Sequence, residues 1–134
     1  MERVKKARKE NNMGAENKRY QEENLKCRCC GVKVINGGLI DMLNVIYERF
    51  GKYIHINRGY SCPNHNKEVG GVPNSEHPKG NAADIWIEGI SPDIVWSFCN
   101  EHFTNSGVGR YDTFTHIDCR GKRARWDYRK GKNK

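Results

Sequence analysis

Three side chains have the types and spacing of metal ligands. His77 precedes Asp84 by seven residues, and His116 lies in a later alternating segment, 113–118. Two imidazoles and one carboxylate suit a catalytic zinc ion, because zinc accepts nitrogen and oxygen donors and three protein ligands leave a fourth position for water. Such a metal activates the water and polarises a carbonyl, which is the chemistry of amide hydrolysis.

The spacing alone is weak evidence, because H-x6-D is much less specific than H-E-x-x-H and a single strand histidine is usually structural. The surrounding residues strengthen the interpretation. Gly80 allows close backbone approach between His77 and Asp84. Asp84 also alternates away from the apolar side of its segment, where Ile85 and Ile87 lie.

Periodic patterns predict the elements that position these residues. An apolar stripe predicts a helix from Gly37 to Phe50, and Ser91 followed by Pro92 begins a second helix. Alternating residues predict three strands, at 53–57, 83–88 and 113–119. Gly107 and Gly109 are expected to break the chain before the third strand. The order predicts an α+β fold with a small antiparallel sheet and flanking helices.

A long loop separates the first two predicted strands. Residues 58–82 are rich in Gly and Pro, and an ordered loop of this length inside a domain is often functional. The loop contains the first candidate ligand, His77.

Charge is concentrated at the two ends. Residues 1–26 carry eight Lys/Arg against five Glu, a net +3, and residues 120–134 carry eight against one Asp, a net +7. Residues 27–119 carry eight Lys/Arg against ten Asp/Glu, a net −2, which disfavours a large basic nucleic-acid surface on the folded body. No apolar run is long enough for a membrane span, and residues 1–26 lack the apolar core of a signal peptide.

Six cysteines stand at positions 27, 29, 30, 62, 99 and 119. The cluster at 27–30 suggests a structural zinc. Read as C-x-C-C, however, it departs from the usual C-x2-C knuckle, and no second C-x2-C follows. Disulfides or buried thiols are the favoured interpretation.

The segment from Ser75 to Asp84 reads Ser-x-His-x2-Gly-x-Ala-x-Asp. It resembles the first zinc motif of the M15 peptidases, the D-alanyl-D-alanine carboxypeptidases and related peptidoglycan endopeptidases. Segments 59–75, 107–118 and 123–126 are similar to other parts of that family, so the resemblance covers roughly residues 25–127. It is strongest to the compact branch found in phage and bacterial cell-wall enzymes.

The resemblance implies a Hedgehog/DD-peptidase-like fold and zinc (Zn2+) bound by His77, Asp84 and His116. Ser75 would hydrogen-bond substrate near the metal. The composition of the two ends and the span of the resemblance together predict three segments: a charged N-terminal arm at 1–24, a zinc peptidase domain at 25–127 and a basic disordered tail at 128–134.

Two positions depart from the family pattern. Members often carry an arginine directly after the Gly-Tyr pair, where it polarises the scissile carbonyl or holds the substrate. Ser61 stands there in this chain, so Arg58 and Arg110 are the candidates to replace it. Members also place an acidic base three residues before the last histidine, where this chain has Thr113.

Two nearby carboxylates are candidates to replace that base. Asp112 adjoins the expected position, and Asp118 shares a strand face with His116. Asp118 could instead orient a ligand histidine from behind. Glu76 is a weaker third candidate.

The resemblance thus implies a monomeric zinc peptidase that cleaves peptidoglycan stem peptides at D-alanine, as a carboxypeptidase or an endopeptidase. With no signal peptide, we expect it to act at the cell wall after release or export by another system, or otherwise to be cytoplasmic or virion-associated. One alternative is a zinc-bearing cell-wall binding module with impaired catalysis. A small basic nucleic-acid binder is the least favoured alternative.

Overall fold

The computed structural model describes residues 19–27, 30–60, 62 and 75–130. Most of the predicted N-terminal arm and much of the long loop therefore lie outside the described residues. The same holds for Cys29 and Ser61, on which parts of the sequence interpretation depend.

Two α-helices form where the sequence predicts them. Helix α1 spans Gly37–Phe50 and ends at Gly51, whose φ of 65° suits a residue without a side chain. Helix α2 spans Pro92–His102, and its N-cap Ser91 accepts a hydrogen bond from the Ile94 amide. Short 3-10 turns occur at Glu22–Leu25 and His77–Lys79.

Five strands form one sheet. They are β1 (His55–Arg58), β2 (Ala82–Trp86), β3 (Gly107–Arg110), β4 (Thr115–Asp118) and β5 (Ala124–Asp127). Their spatial order is β1-β2-β4-β3-β5. All neighbours pair antiparallel except β3 and β5, which run parallel.

The α+β class is confirmed, but the sheet is mixed rather than antiparallel and has two strands that the sequence did not predict. Strand β3 contains Gly107 and Gly109, which have low strand propensity. Strand β5 lies in the basic C-terminal segment and none of its residues is fully buried. Pairing with β4 and β3, rather than local propensity, therefore determines these strands.

The two faces of the sheet have different character. One face carries buried apolar residues, among them Ile85, Val108 and Ile117, which pack with the helices into the core. Tyr20 and Leu25, from the chain before α1, are also part of this core. The opposite face carries the polar side chains described next.

The predicted domain limits at residues 25 and 127 stay predictions, and the burial of Tyr20 shows that packing begins earlier than residue 25. Within the described part of the chain, neither helix has the length and apolarity required to cross a membrane.

Candidate metal centre

A row of five residues crosses the polar face of the sheet, one from each strand. Strand register places Arg58 beside Asp84, Asp84 beside His116, His116 beside Gly109, and Gly109 beside Trp126. We call these five residues the transverse row. Two of the three predicted metal ligands are therefore direct neighbours on β2 and β4.

The third predicted ligand, His77, comes from the 3-10 turn before β2 and completes the group. Asp84 Oδ1 lies 3.0 Å from His116 Nδ1 and 3.4 Å from His77 Nε2. One ligand atom from each of the three residues lies within 4.8 Å of the other two, and all three residues are buried. We call His77, Asp84 and His116 the triad.

His77 is held so that one ring nitrogen faces Asp84. Its Nδ1 lies 2.7 Å from the Gly59 carbonyl oxygen. A carbonyl can only accept, so Nδ1 carries a proton, and Nε2, which faces Asp84, is the nitrogen whose lone pair the neutral ring can offer to a metal. Ser75 fixes the backbone of this turn, because its Oγ accepts a hydrogen bond of 3.1 Å from the His77 amide.

His116 is held in the same way by Asp118. Its Nε2 lies 2.7 Å from Asp118 Oδ2, while Nδ1 faces Asp84. A carboxylate behind a ligand histidine fixes the ring orientation and makes the other nitrogen a better donor to a metal. Each histidine of the triad therefore has one nitrogen occupied and the other directed to a common point.

Asp118 is fully buried and surrounded by donors. Arg120 binds it through two parallel contacts of 2.8 Å, from Nε to Oδ1 and from Nη2 to Oδ2. The Gly107 amide donates to Oδ1 at 3.1 Å. The Gly107 Cα faces the carboxylate so closely that a side chain there would collide with it. This geometry favours Asp118 as the residue that orients His116 rather than as the general base.

The electrostatics of the triad follow from this packing. Burial disfavours charge on Asp84, but hydrogen bonds from His116 and His77 outweigh it and hold the pKa of that carboxyl well below its usual range. Burial also opposes charge on His116, yet hydrogen bonds to Asp118 and Asp84 raise its pKa to about 9. For Asp118, bonds from Arg120 and His116 outweigh burial and keep its pKa low.

The triad fits a zinc ion by its donor chemistry. It offers two imidazole nitrogens and a carboxylate oxygen, the donor set of catalytic zinc sites with three protein ligands. Both histidines are oriented by hydrogen bonds to groups outside the triad, the Gly59 carbonyl and the Asp118 carboxylate, as ligand histidines usually are. His77, Asp84 and His116 are therefore the residues that would hold the metal.

An aromatic wall closes one side of the centre. The rings of Trp126 and His116 lie 4.9 Å apart, and Trp126 Nε1 donates to the Tyr111 hydroxyl at 2.9 Å. Gly109 makes this possible, since a Cβ at this position would collide with the Trp126 indole. Burial raises the pKa of Tyr111 above its usual value.

The two candidate arginines lie on opposite faces of the sheet. Arg58 belongs to the transverse row, and although burial lowers the pKa of its guanidinium, the charge of Asp84 acts in the other direction. Arg110 lies on the helix face, where it binds Asp93 at 3.1 Å and stacks over Trp96. The structure brings only Arg58 to the triad.

The other two candidate bases do not join the triad. Asp112 is exposed and accepts a hydrogen bond from the Lys130 amide at 3.0 Å. Glu76 is buried, and its carboxylate binds Asn81 at 2.8 Å and Lys79 at 3.3 Å.

Sequence reasoning missed several residues of the centre. Arg120 could have been found, because it follows Asp118 by only two residues and its guanidinium can reach that carboxylate. Tyr111 and the Gly59 carbonyl gave no local signal, since their roles depend on contacts between distant segments.

The triad is a candidate metal centre on one face of a mixed sheet. The family model for peptidase M15 matches residues 11–118, which is more than half of the sequence. The chain belongs to the M15 peptidase family, whose members are metallopeptidases and generally depend on zinc. The resemblance stated from the sequence is thereby confirmed. A comparison with curated proteins finds no match.

Proposed function

We propose that this protein is a zinc-dependent peptidase that cleaves peptidoglycan stem peptides at D-alanine. The observation that carries the proposal is the triad in a chain of the M15 family, with each histidine presenting one nitrogen beside Asp84 Oδ1. Zinc, when bound there, would supply the Lewis acidity that amide hydrolysis needs.

The chain's own residues have distinct roles in this proposal. Arg58 places a positive charge beside Asp84, where it can hold the carbonyl oxygen of the scissile bond as negative charge develops. Tyr111 accepts from Trp126 and can donate its own proton to the substrate. Ser75 accepts from the His77 amide and can likewise donate to the peptide.

A second candidate is a zinc-bearing cell-wall binding module with impaired catalysis. It is favoured by one observation: Asp118, Asp112 and Glu76, the three acids considered for the base, are each already bound by donors in the described structure. Asp112 and Glu76 bind their partners away from the triad, and Asp118, the acid beside it, is already held by His116 and Arg120.

Digestion of purified peptidoglycan separates the two candidates. We expect the zinc-loaded parent to release free D-alanine or new amino groups, measured by mass spectrometry of the products. His116→Ala should lose both the triad zinc and the activity. His102→Ala removes an exposed histidine at the end of α2 and should retain both. A parent that binds zinc at the triad and the cell wall without cleaving it would support the binding module.

A further inference from the structure

A second group of potential metal ligands lies outside the triad. Cys27 and Cys30 come from the chain before α1, and Cys62 comes from the chain after β1. Their three sulfur atoms lie within 4.8 Å of one another. Cys27 is completely buried, Cys62 is half-buried and Cys30 is exposed. We call these three residues the cysteine cluster.

Backbone hydrogen bonds join Cys27 to Gly31 and Val32. The Cys27 amide donates to the Val32 carbonyl at 2.7 Å, and the Gly31 amide donates to the Cys27 carbonyl at 2.8 Å. Gly31, which directly follows Cys30, has a φ of 75°, a backbone conformation that favours glycine. Cys27 and Cys30 are a C-x2-C pair in sequence, the spacing of zinc-binding cysteines, and these hydrogen bonds hold the chain on either side of the pair together.

Backbone amides are directed at the sulfurs. The Cys62 amide donates to Cys27 Sγ at 3.3 Å, and the Val32 amide hydrogen-bonds the Cys30 thiol. Amide donors stabilise a thiolate more than a thiol, because the thiolate carries the charge. The Val32 bond lowers the pKa of Cys30, but burial and the neighbouring Cys27 and Cys62 outweigh it and raise that pKa, so a metal that binds there must displace the thiol proton.

We propose that Cys27, Cys30 and Cys62 supply three ligands to a structural zinc ion, separate from the triad. Three thiolates are soft ligands of the kind that select zinc. Zinc–sulfur bonds of about 2.3 Å place sulfurs roughly 3.8 Å apart around a tetrahedral ion, so small side-chain adjustments suffice. The sequence interpretation as C-x-C-C overlooked both the Cys27–Cys30 spacing and the distant third cysteine.

The cysteine cluster is connected to the triad through the backbone. The Tyr60 amide donates to the Leu25 carbonyl at 2.7 Å, and Gly59 is packed directly on the Leu25 backbone. The Gly59 carbonyl is the group that orients His77. A zinc ion joining Cys27 to Cys62 would hold these two segments together and so keep that carbonyl in place.

Zinc stoichiometry of the full chain tests the proposal. We expect two zinc ions per chain in the parent and one in Cys30→Ser, a variant at an exposed position that should not disturb the core. Cys119→Ser is the matched control at a half-buried cysteine and should keep both. His116→Ala should keep the ion of the cysteine cluster and lose that of the triad.

Cobalt substitution identifies the ligands independently of activity. In His116→Ala, cobalt(II) should give the intense near-ultraviolet absorption of thiolate-to-metal charge transfer, and the band should disappear when Cys30→Ser is added. One zinc ion in the parent that Cys30→Ser does not change would overturn the proposal. So would a disulfide between two of the three cysteines in protein prepared under reducing conditions.

Discussion

Asp118 decides which nitrogen of His116 faces Asp84. Its carboxylate holds His116 Nε2 at 2.7 Å, and Arg120 in turn holds the carboxylate. A residue in this arrangement affects the metal through the histidine, whereas a general base acts on the reacting water. The positioning role and the general-base role of Asp118 can therefore be distinguished by whether saturating zinc restores the activity of a variant at this position.

Asp118→Asn should weaken zinc binding at the triad about 10–100-fold, as is usual when the partner of a ligand histidine is lost. Competition with a chromophoric chelator measures the affinity. If Asp118 positions His116, peptidase activity should recover at saturating zinc. Activity that stays lost with zinc fully bound would assign Asp118 to proton transfer instead. Asp112→Asn is the control for charge and should leave zinc affinity unchanged.

The position of Arg58 in the transverse row leads to a second prediction. Arg58→Ala should lower kcat about 10²–10³-fold while zinc binding persists, the range typical of a lost donor to a developing oxyanion. Arg110→Ala is the matched control, because Arg110 binds Asp93 and Trp96 on the helix face. Steady-state kinetics on a defined stem peptide measure both. A larger loss in Arg110→Ala than in Arg58→Ala would contradict the assignment.

At the level of elements, β3 and β5 form the wall of the centre, and glycine makes their packing possible. Gly109→Ala would push a methyl group into the Trp126 indole and displace it from His116 and Tyr111. Overpacking of this kind lowers the free energy of unfolding by about 1–3 kcal/mol. Urea unfolding measures the change.

The matched control for this substitution is Gly37→Ala. Gly37 begins α1, and a Cβ there would meet no neighbour. The free energy of unfolding should stay the same or rise by less than about 1 kcal/mol. Equal losses in both variants would show that the Trp126 contact contributes nothing.

Sequence periodicity allowed the two helices and the three strands with alternating side chains to be predicted, whereas the convergence of the triad was implied by the family resemblance. Strand alternation places Asp84 and His116 opposite the apolar face. Strands β3 and β5 could not be predicted, because glycine and charged residues obscure their pattern.

The parts of the centre that escaped prediction arise from contacts between distant segments. The Gly59 carbonyl reaches His77 across 18 positions of sequence, and Trp126 reaches Tyr111 across 15. Cys62 meets Cys27 across 35 positions. Such pairings follow from the assembled sheet and leave no fixed spacing in the sequence.

For the whole molecule, zinc binding and folding should respond to pH in opposite directions. The pKa of His116 is raised to about 9 in the folded protein without metal, against about 6.5 in an unfolded chain. The protonated ring therefore stabilises that form fully below about pH 6.5, and this contribution disappears as the pH rises to about 9. Zinc requires the neutral ring, so binding at pH 7 must displace this proton.

We accordingly expect zinc affinity at the triad to rise up to about tenfold per pH unit between pH 7 and 9 and then to level off. Chelator-treated protein should lose unfolding free energy over the same interval. Calorimetric titration in buffers of different ionisation enthalpy counts the released proton, and Cys30→Ser isolates the triad from the cysteine cluster. In His116→Ala the stability change should vanish. An affinity that does not vary between pH 7 and 9 would show that His116 is neutral before the metal binds.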